Sequence, residues 1–249
     1  MENLLCPYPF RVARGTQLRS YVFLLTVILL LASSAWAGPM EDAAAANARG
    51  DYAAELRITR PLAAKGEAWA QSFLGESYSN GEGVPKNDAE AVKWYRLAAA
   101  QGYALAQYNL GLMYGTGRGV LQDHAEAVKW WKLAAAQGDA SAQYNLGVRY
   151  DDGRGVVQDY AEAVKWYRLA AAQGYALAQY NLGLMYGTGR GVPMDYVRAH
   201  MWFNLAAVKG DADAVKNRDI AAKTMTPQQM AEAQKLAREC QARNFKGCD

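Results

Sequence analysis

Apolar and polar letters follow helical rather than strand spacing through most of this chain, in phrases cut short by glycine. In ALAQYNLGLMY, residues 104–114, Ala106, Leu110 and Tyr114 stand at i, i+4 and i+8 and so share one helix face. The phrase before it, AEAVKWYRLAAAQ at 89–101, predicts a helix that begins after Asn87 and stops at Gly102. Glycine takes the left-handed C-cap conformation without strain. Asn87, Asp123, Asp159 and Asp195 open the equivalent helices, with Glu90, Glu126 and Glu162 three residues on and Arg198 in the last copy. An N-cap acceptor with Glu at N3 satisfies orphan amides and suits the positive end of the helix dipole.

The tryptophans set a period: Trp94, Trp130, Trp166 and Trp202 are 36 residues apart. Gly66, Gly102, Gly138, Gly174 and Gly210 keep the same step, as do Tyr78, Tyr114, Tyr150 and Tyr186. The 32 residues at 89–120 return letter for letter at 161–192, two periods later, so the copying unit was a pair of repeats. Self-similarity at a period of about 20 to 50 residues marks a solenoid, and each repeat here reads as helix, turn, helix, loop. Gly75, Gly111, Gly147 and Gly183 fall mid-helix, where glycine costs ~1 kcal/mol against alanine. That cost predicts another backbone passing close by. Trp94 and its equivalents are expected to fill the space between neighbouring hairpins.

The loop after the second helix, GTGRGV at 115–120, is matched by Gly81-Glu82-Gly83, Gly153-Arg154-Gly155 and Gly189-Arg190-Gly191. It is glycine-rich, but it follows a helix and lacks the Gly-Lys-Ser/Thr ending of a phosphate loop. Its glycines are read as supplying positive φ for chain reversal.

These phrases resemble the Sel1-like repeat family, relatives of the tetratricopeptide repeats. The resemblance rests on A-x-A-Q-x-x-L-G-x-x-Y at 68–78 and its three successors, on G-x-G-V, and on A-x-x-W-[YW]-x-x-A-A-x-x-G in the following helix. It implies an all-α fold: a right-handed α/α solenoid of 36-residue repeats, four to five helical hairpins over 51–210. An N-terminal extension at 38–50 precedes it, and capping helices with a closed tail follow at 211–249. Both ends depart from the pattern. Ile58 replaces the tryptophan of later copies, and Pro61 is expected to kink or break the first helix. Thr226, Pro227 and Gln229 read as N-cap, N1 and N3 of one last helix.

Composition adds a destination. Residues 1–37 carry Arg11, Arg14 and Arg19, an apolar run at 21–32 and Ala35-Trp36-Ala37. This is the layout of a secretory signal cleaved after Ala37, and the run is too short for a bilayer-spanning helix, which needs about 20 residues. The expected location is periplasmic or secreted. Cleavage leaves 24 basic against 23 acidic residues, a balance that favours neither nucleic acid nor a charged membrane surface. Cys6 leaves with the signal. Cys240 and Cys248 remain, eight positions apart, and in an oxidising compartment such a pair is expected to form a structural disulfide.

Catalytic constellations are thin. His124 and His200 lie in different repeats, and the chain has no His-Glu-x-x-His, Gly-x-Ser-x-Gly or Ser-x-x-Lys. Asp151-Asp152 lacks the alternating acids and distal Glu of a calcium loop. No cofactor or metal is expected, and no enzymatic activity. Some cysteine-rich Sel1-like relatives are linked to β-lactams, but they carry a Cys pair per repeat, and the repeats here have none. Such resemblance implies instead that the concave face, lined by the first helices, binds an extended peptide or helix of another protein. Its candidates are Glu90, Lys93, Arg96, Glu126, Lys129, Lys132, Glu162, Lys165 and Arg168. A solvated surface with i,i+3 pairing would show the same letters. Function is further expected in exposed letters that differ between copies: Asp88, His124 and Tyr160, or Tyr103, Asp139, Tyr175 and Asp211. The reading is an exported, monomeric adaptor. A wall- or β-lactam-processing hydrolase and a purely structural spacer are the alternatives.

Overall fold

The computed structural model describes residues 38–208 and 210–248. The signal-peptide reading of 1–37 falls outside the described residues. Among them the chain forms twelve helices and no strand: α1 Pro39–Ala48, α2 Tyr52–Ala64, α3 Ala68–Asn80, α4 Asp88–Ala100, α5 Ala104–Thr116 and α6 His124–Ala136 come first. α7 Ala140–Asp152, α8 Tyr160–Ala171, α9 Ala176–Thr188, α10 Tyr196–Ala207, α11 Ala212–Ala222 and α12 Pro227–Ala242 follow. Helices α2 to α11 pair as five hairpins, and each second helix also packs on the first helix of the next hairpin. The result is an all-α solenoid.

The first helices start where the sequence places them. Asn87, Asp123, Asp159 and Asp195 accept from the backbone N–H three residues on, at 2.9–3.1 Å. Each such cap contributes about 1 kcal/mol. Glu90, Glu126 and Glu162 do not close a reciprocal capping box; their carboxylates accept from Lys93, Lys129 and Lys165 instead. A full capping box occurs at Thr226 and Gln229, at the start of α12.

The first three hairpins each enclose a core, and a larger one joins α8, α9, α10 and α12. In α4–α5, Ala91, Val92, Tyr95, Ala98 and Ala99 meet Ala106, Leu110 and Met113, all buried. The half-buried tryptophans do lie between hairpins: Trp94, Trp130 and Trp166 each pack against the cluster of the preceding hairpin. The mid-helix glycines have a different partner from the one expected. The nearest neighbours are side chains. A Cβ on Gly111 would stand 2.5 Å from Nε1 of Trp131, and on Gly75, Gly147 and Gly183 it would meet the rings of Tyr95, Tyr167 and Phe203. The residue after each periodic tryptophan is thus the one that fills the glycine notch.

The loop glycines close each hairpin on its own first helix. Gly119 adopts φ +67°, and a Cβ there would fall onto the carbonyl of Asp88 at the start of α4; Gly155 and Gly191 stand likewise against His124 and Tyr160. Turn geometry and close approach therefore select glycine together.

Pro61 does not break α2, which runs on to Ala64. The residue sits in the last turn on the exposed side, so only one carbonyl loses its intrahelical donor, and water can reach it. The first hairpin is otherwise more polar than its successors. Glu55, fully buried, accepts from Asn47 Nδ2 at 3.0 Å and Ser77 Oγ at 3.1 Å, fastening α1 to the hairpin. At the other end α11 carries Arg218 and Asp219 where earlier copies have leucine and glycine, ion-paired at 2.8 Å. A polar outer face is what a terminal repeat needs. α12 then packs back on α10. Met201, Trp202 and Leu205 of α10 share a buried cluster with Ala237 and Cys240 of α12, and Cys240 is bonded to Cys248 with sulfurs 2.04 Å apart.

Candidate protein-binding face

The first helices present the expected rows, with unequal members. Lys93, Lys129 and Lys165 have side chains 65, 71 and 65 % exposed. Lys129 and Lys165 reach Glu126 and Glu162 at 2.8 and 2.7 Å, and Lys93 pairs with Glu90. The hydrogen bond each donates to its glutamate raises both Lys129 and Lys165 above the usual ammonium value. Exposed pairs of this kind add little to stability, so the letters are not explained by folding alone.

Arg96, Lys132 and Arg168 turn toward the tips of the second helices. Arg96 donates to the hydroxyl of Tyr114 at 2.7 Å, Arg168 to that of Tyr186 at 2.8 Å, and Lys132 Nζ lies 5.7 Å from the Tyr150 ring centre. These three brace their own hairpins. Beside them runs a row that residue type alone assigns to the core. Leu97, Leu133 and Leu169 are each 49 % exposed, one helical turn beyond the lysines.

The letters that differ between copies are used inside the molecule. Arg118 binds Asp88 Oδ1 at 2.6 Å and Ser79 Oγ at 3.0 Å, and the guanidinium hydrogen bond holds the Asp88 carboxyl below its usual range. Arg190 lies over the Tyr160 ring at 5.2 Å. Asp88 and Tyr160 thus each face the loop arginine that follows their own hairpin. Asp139 and Asp211 cap their helices through Ala142 and Ala214 N–H. Tyr175 packs against Tyr144 with ring centres 5.2 Å apart, and Tyr103 packs on its hairpin core. His200 is a buried side chain of α10, lowered from its ordinary pKa by burial and by Arg218; His124 begins α6. Asp151 and Asp152 are engaged by Arg190 at 3.3 Å and Arg149 at 3.2 Å. Among the described residues, no group of three or more His, Cys, Asp or Glu side chains is placed to hold a metal ion.

Sequence reasoning also passed over a glutamine ladder. Gln137 Nε2 donates to the Gly102 carbonyl at 2.9 Å and to Gln107 Oε1 at 2.8 Å; Gln107 Nε2 in turn donates to Ala99 O at 3.2 Å. Gln101 and Gln173 repeat the same bonds to Gly66 with Gln71 and to Gly138 with Gln143. The Q of A-x-A-Q and the Q before the glycine were the available signal, but the partners of Gln101, Gln137 and Gln173 in the preceding hairpin lie 30 or 35 residues away.

A stack of hairpins with inter-repeat ladders and exposed rows in register defines a helical-repeat scaffold. The Sel1 repeat model matches at 70–103, 104–139, 140–175 and 176–211, and the chain belongs to the Sel1 repeat family. Among solved structures it is similar to a Sel1 repeat protein from Oxalobacter formigenes, at 34 % identity and TM-score 0.71, covering 80 % of this chain and 83 % of that one. It is also similar to a protective antigen present in uropathogenic Escherichia coli strains that displays an SLR fold, at 37 % identity and TM-score 0.72. That match covers 78 % of this chain, which spans only 42 % of the antigen's length. A comparison with curated proteins gives no match. No helix among the described residues is long and apolar enough to cross a membrane.

Proposed function

We propose that this chain is an exported, monomeric adaptor. Its solenoid, 51–210, holds another protein on the first-helix rows of Glu90, Lys93, Glu126, Lys129, Glu162 and Lys165, with Arg96, Lys132 and Arg168 at their edge. One observation carries the reading: three consecutive helices present the same exposed lysine and leucine at the same two positions. Many of the other letters of the repeat are taken up by cores, caps, ladders and joints. Lysines that add little to folding and leucines left half in water form a surface suited to a partner spread over several repeats. Export agrees with the Cys240–Cys248 bond, since such bonds persist in oxidising compartments.

The test is photo-crosslinking in the native host, with the tagged full-length protein carrying a photoreactive residue at position 93, 129 or 165. Leu105 and Leu177, exposed on the second helices, serve as control sites. One protein captured from all three lysine positions and not from the controls is the expected result. Equal capture from both faces, or none, indicates a spacer, and turnover on wall fragments or β-lactams indicates the hydrolase.

A further inference from the structure

Two rows on the first helices have a member that is covered, and it shows what the rows accept. In steps of 36 residues, Pro61, Leu97, Leu133, Leu169 and Leu205 occupy one position. Arg57, Lys93, Lys129, Lys165 and Met201 occupy the position one turn earlier. In the first four copies both positions meet water. On α10 the lysine becomes methionine, and Met201 and Leu205 are 1 and 3 % exposed, in the cluster shared with Ala237 and Cys240 of α12. The buried side of α12 is Ala233, Ala237 and Cys240, at i, i+4 and i+7. The tail then turns back: the Phe245 ring lies against Gly174, and Cys248 stands with Arg168, Leu169 and Trp202 around a cavity of about 220 Å³. The chain's own helix therefore covers the strip at α10, and its tail ends beside Leu169.

We infer that the open strip on α4, α6 and α8 receives an acidic amphipathic helix of the partner protein, as α10 receives α12. This rests on the adaptor reading and specifies the partner's segment. Small apolar residues of that helix would sit on Leu97, Leu133 and Leu169, with Asp and Glu on its flanks. The charge follows from the strip: Arg57, Arg60, Lys93, Arg96, Lys129, Lys132, Lys165 and Arg168 stand against Glu90, Glu126 and Glu162, and complementary charge selects the partner and speeds encounter. The helical form follows from hydrogen bonding. A helix satisfies its own backbone, whereas an extended peptide needs donors and acceptors from the surface. On the strip Lys93, Lys129 and Lys165 are already paired with Glu90, Glu126 and Glu162, and the amide nitrogens of Gln101, Gln137 and Gln173 are already given to the ladder.

The experiment places a photoreactive residue at Leu97, Leu133 or Leu169 of the full-length protein in its host, and at Leu121 and Val157, loop residues 90 and 88 % exposed. The captured peptides are then sequenced. Adducts confined to the leucine sites, on a segment with acidic residues flanking a small apolar i, i+4, i+7 face, are expected. A synthetic peptide of that segment should turn helical on binding the 38–249 chain. It should bind Leu133→Glu and Lys129→Glu about tenfold or more weakly, while both variants keep the parent circular dichroism spectrum. Adducts at the leucines on a basic or non-helical segment overturn the inference and leave the adaptor reading standing. So do adducts mainly at Leu121 and Val157, or equal binding by the two variants. No adduct at any site overturns both.

Discussion

Substituting Gly111 by alanine should destabilise the protein, although alanine is the better helix former. Propensity alone favours alanine by ~1 kcal/mol in a helix interior. Against it, the new Cβ would meet Trp131 Nε1, Cδ1 and Cε2 at 2.5, 2.6 and 3.0 Å. That ring is 4 % exposed, and its N–H donates to the Tyr108 carbonyl at 3.2 Å. It cannot move aside without losing this bond, worth about 1 kcal/mol, and overpacking a tight core costs ~1–3 kcal/mol. The balance is a net loss of roughly 1–3 kcal/mol, or about 3–10 °C in Tm for a chain of this size. The control is Gly187, also inside a helix, where a Cβ would find only the Ala199 methyl at 3.7 Å; the equivalent positions in other copies hold Ser79 and Asp151. Gly187→Ala should therefore stabilise by ~0.5–1 kcal/mol. Thermal and urea unfolding followed at 222 nm on both variants reads the sign directly. Stabilisation by both would refute the ring-in-notch explanation.

Gln107→Ala should cost about 1–2 kcal/mol, because it removes a buried amide and its bond to Ala99 O, while the exposed Gln137 keeps Gly102 O and water; urea unfolding that changes by under ~0.5 kcal/mol would show the ladder to be incidental. His200 sets a pH dependence. Burial lowers its pKa below 6.5, the ordinary value, so the unfolded chain binds more protons in that window, and this contribution is full above pH ~6.5 and lost as pH falls below it. His200→Val, which restores the residue type of Val92, Val128 and Val164, should flatten the decline in Tm between about pH 6.5 and 5; an unchanged slope would contradict it. Reducing the Cys240–Cys248 bond should loosen the tail by up to ~2–3 kcal/mol on chain-entropy grounds. Faster hydrogen exchange confined to α12 and the residues after it is the expected signature, and unchanged exchange there would count against it.

The period, the helices and their caps were legible because each rests on letters close together: an Asn or Asp, a Glu three residues on, a glycine at the end. What escaped depends on direction and distance. Trp94 and Tyr95 are neighbours of similar bulk, and a 36-residue period does not say which of them turns into the notch of Gly75; the structure chooses Tyr95. Leu97, Leu133 and Leu169 escape by residue type, which suggests core, although Pro61 stands at their position in the first repeat, and a proline tolerated there points to water rather than core. The glutamine ladder joins residues a repeat apart, beyond any local pattern. Of the candidate face, the exposure of Lys93, Lys129 and Lys165 followed from the Glu-x-x-Lys spacing. The turn of Arg96 and Arg168 toward Tyr114 and Tyr186 did not, because those tyrosines belong to the partner helix of the hairpin. The variable letters misled for a physical reason. Asp88 and Tyr160 differ because each meets the loop arginine of its own hairpin by a different interaction, an ion pair in one case and a cation–π contact in the other.

The most direct measurement separates folding from binding in one protein. The triple variant Lys93→Glu, Lys129→Glu, Lys165→Glu removes three exposed pairs that stabilise little, so its urea midpoint should stay close to that of the parent. Its recovery of partner from the native host, by quantitative affinity capture, should fall by about tenfold or more. Undiminished capture by a variant that is still folded would contradict the claim that the first-helix rows are the binding face.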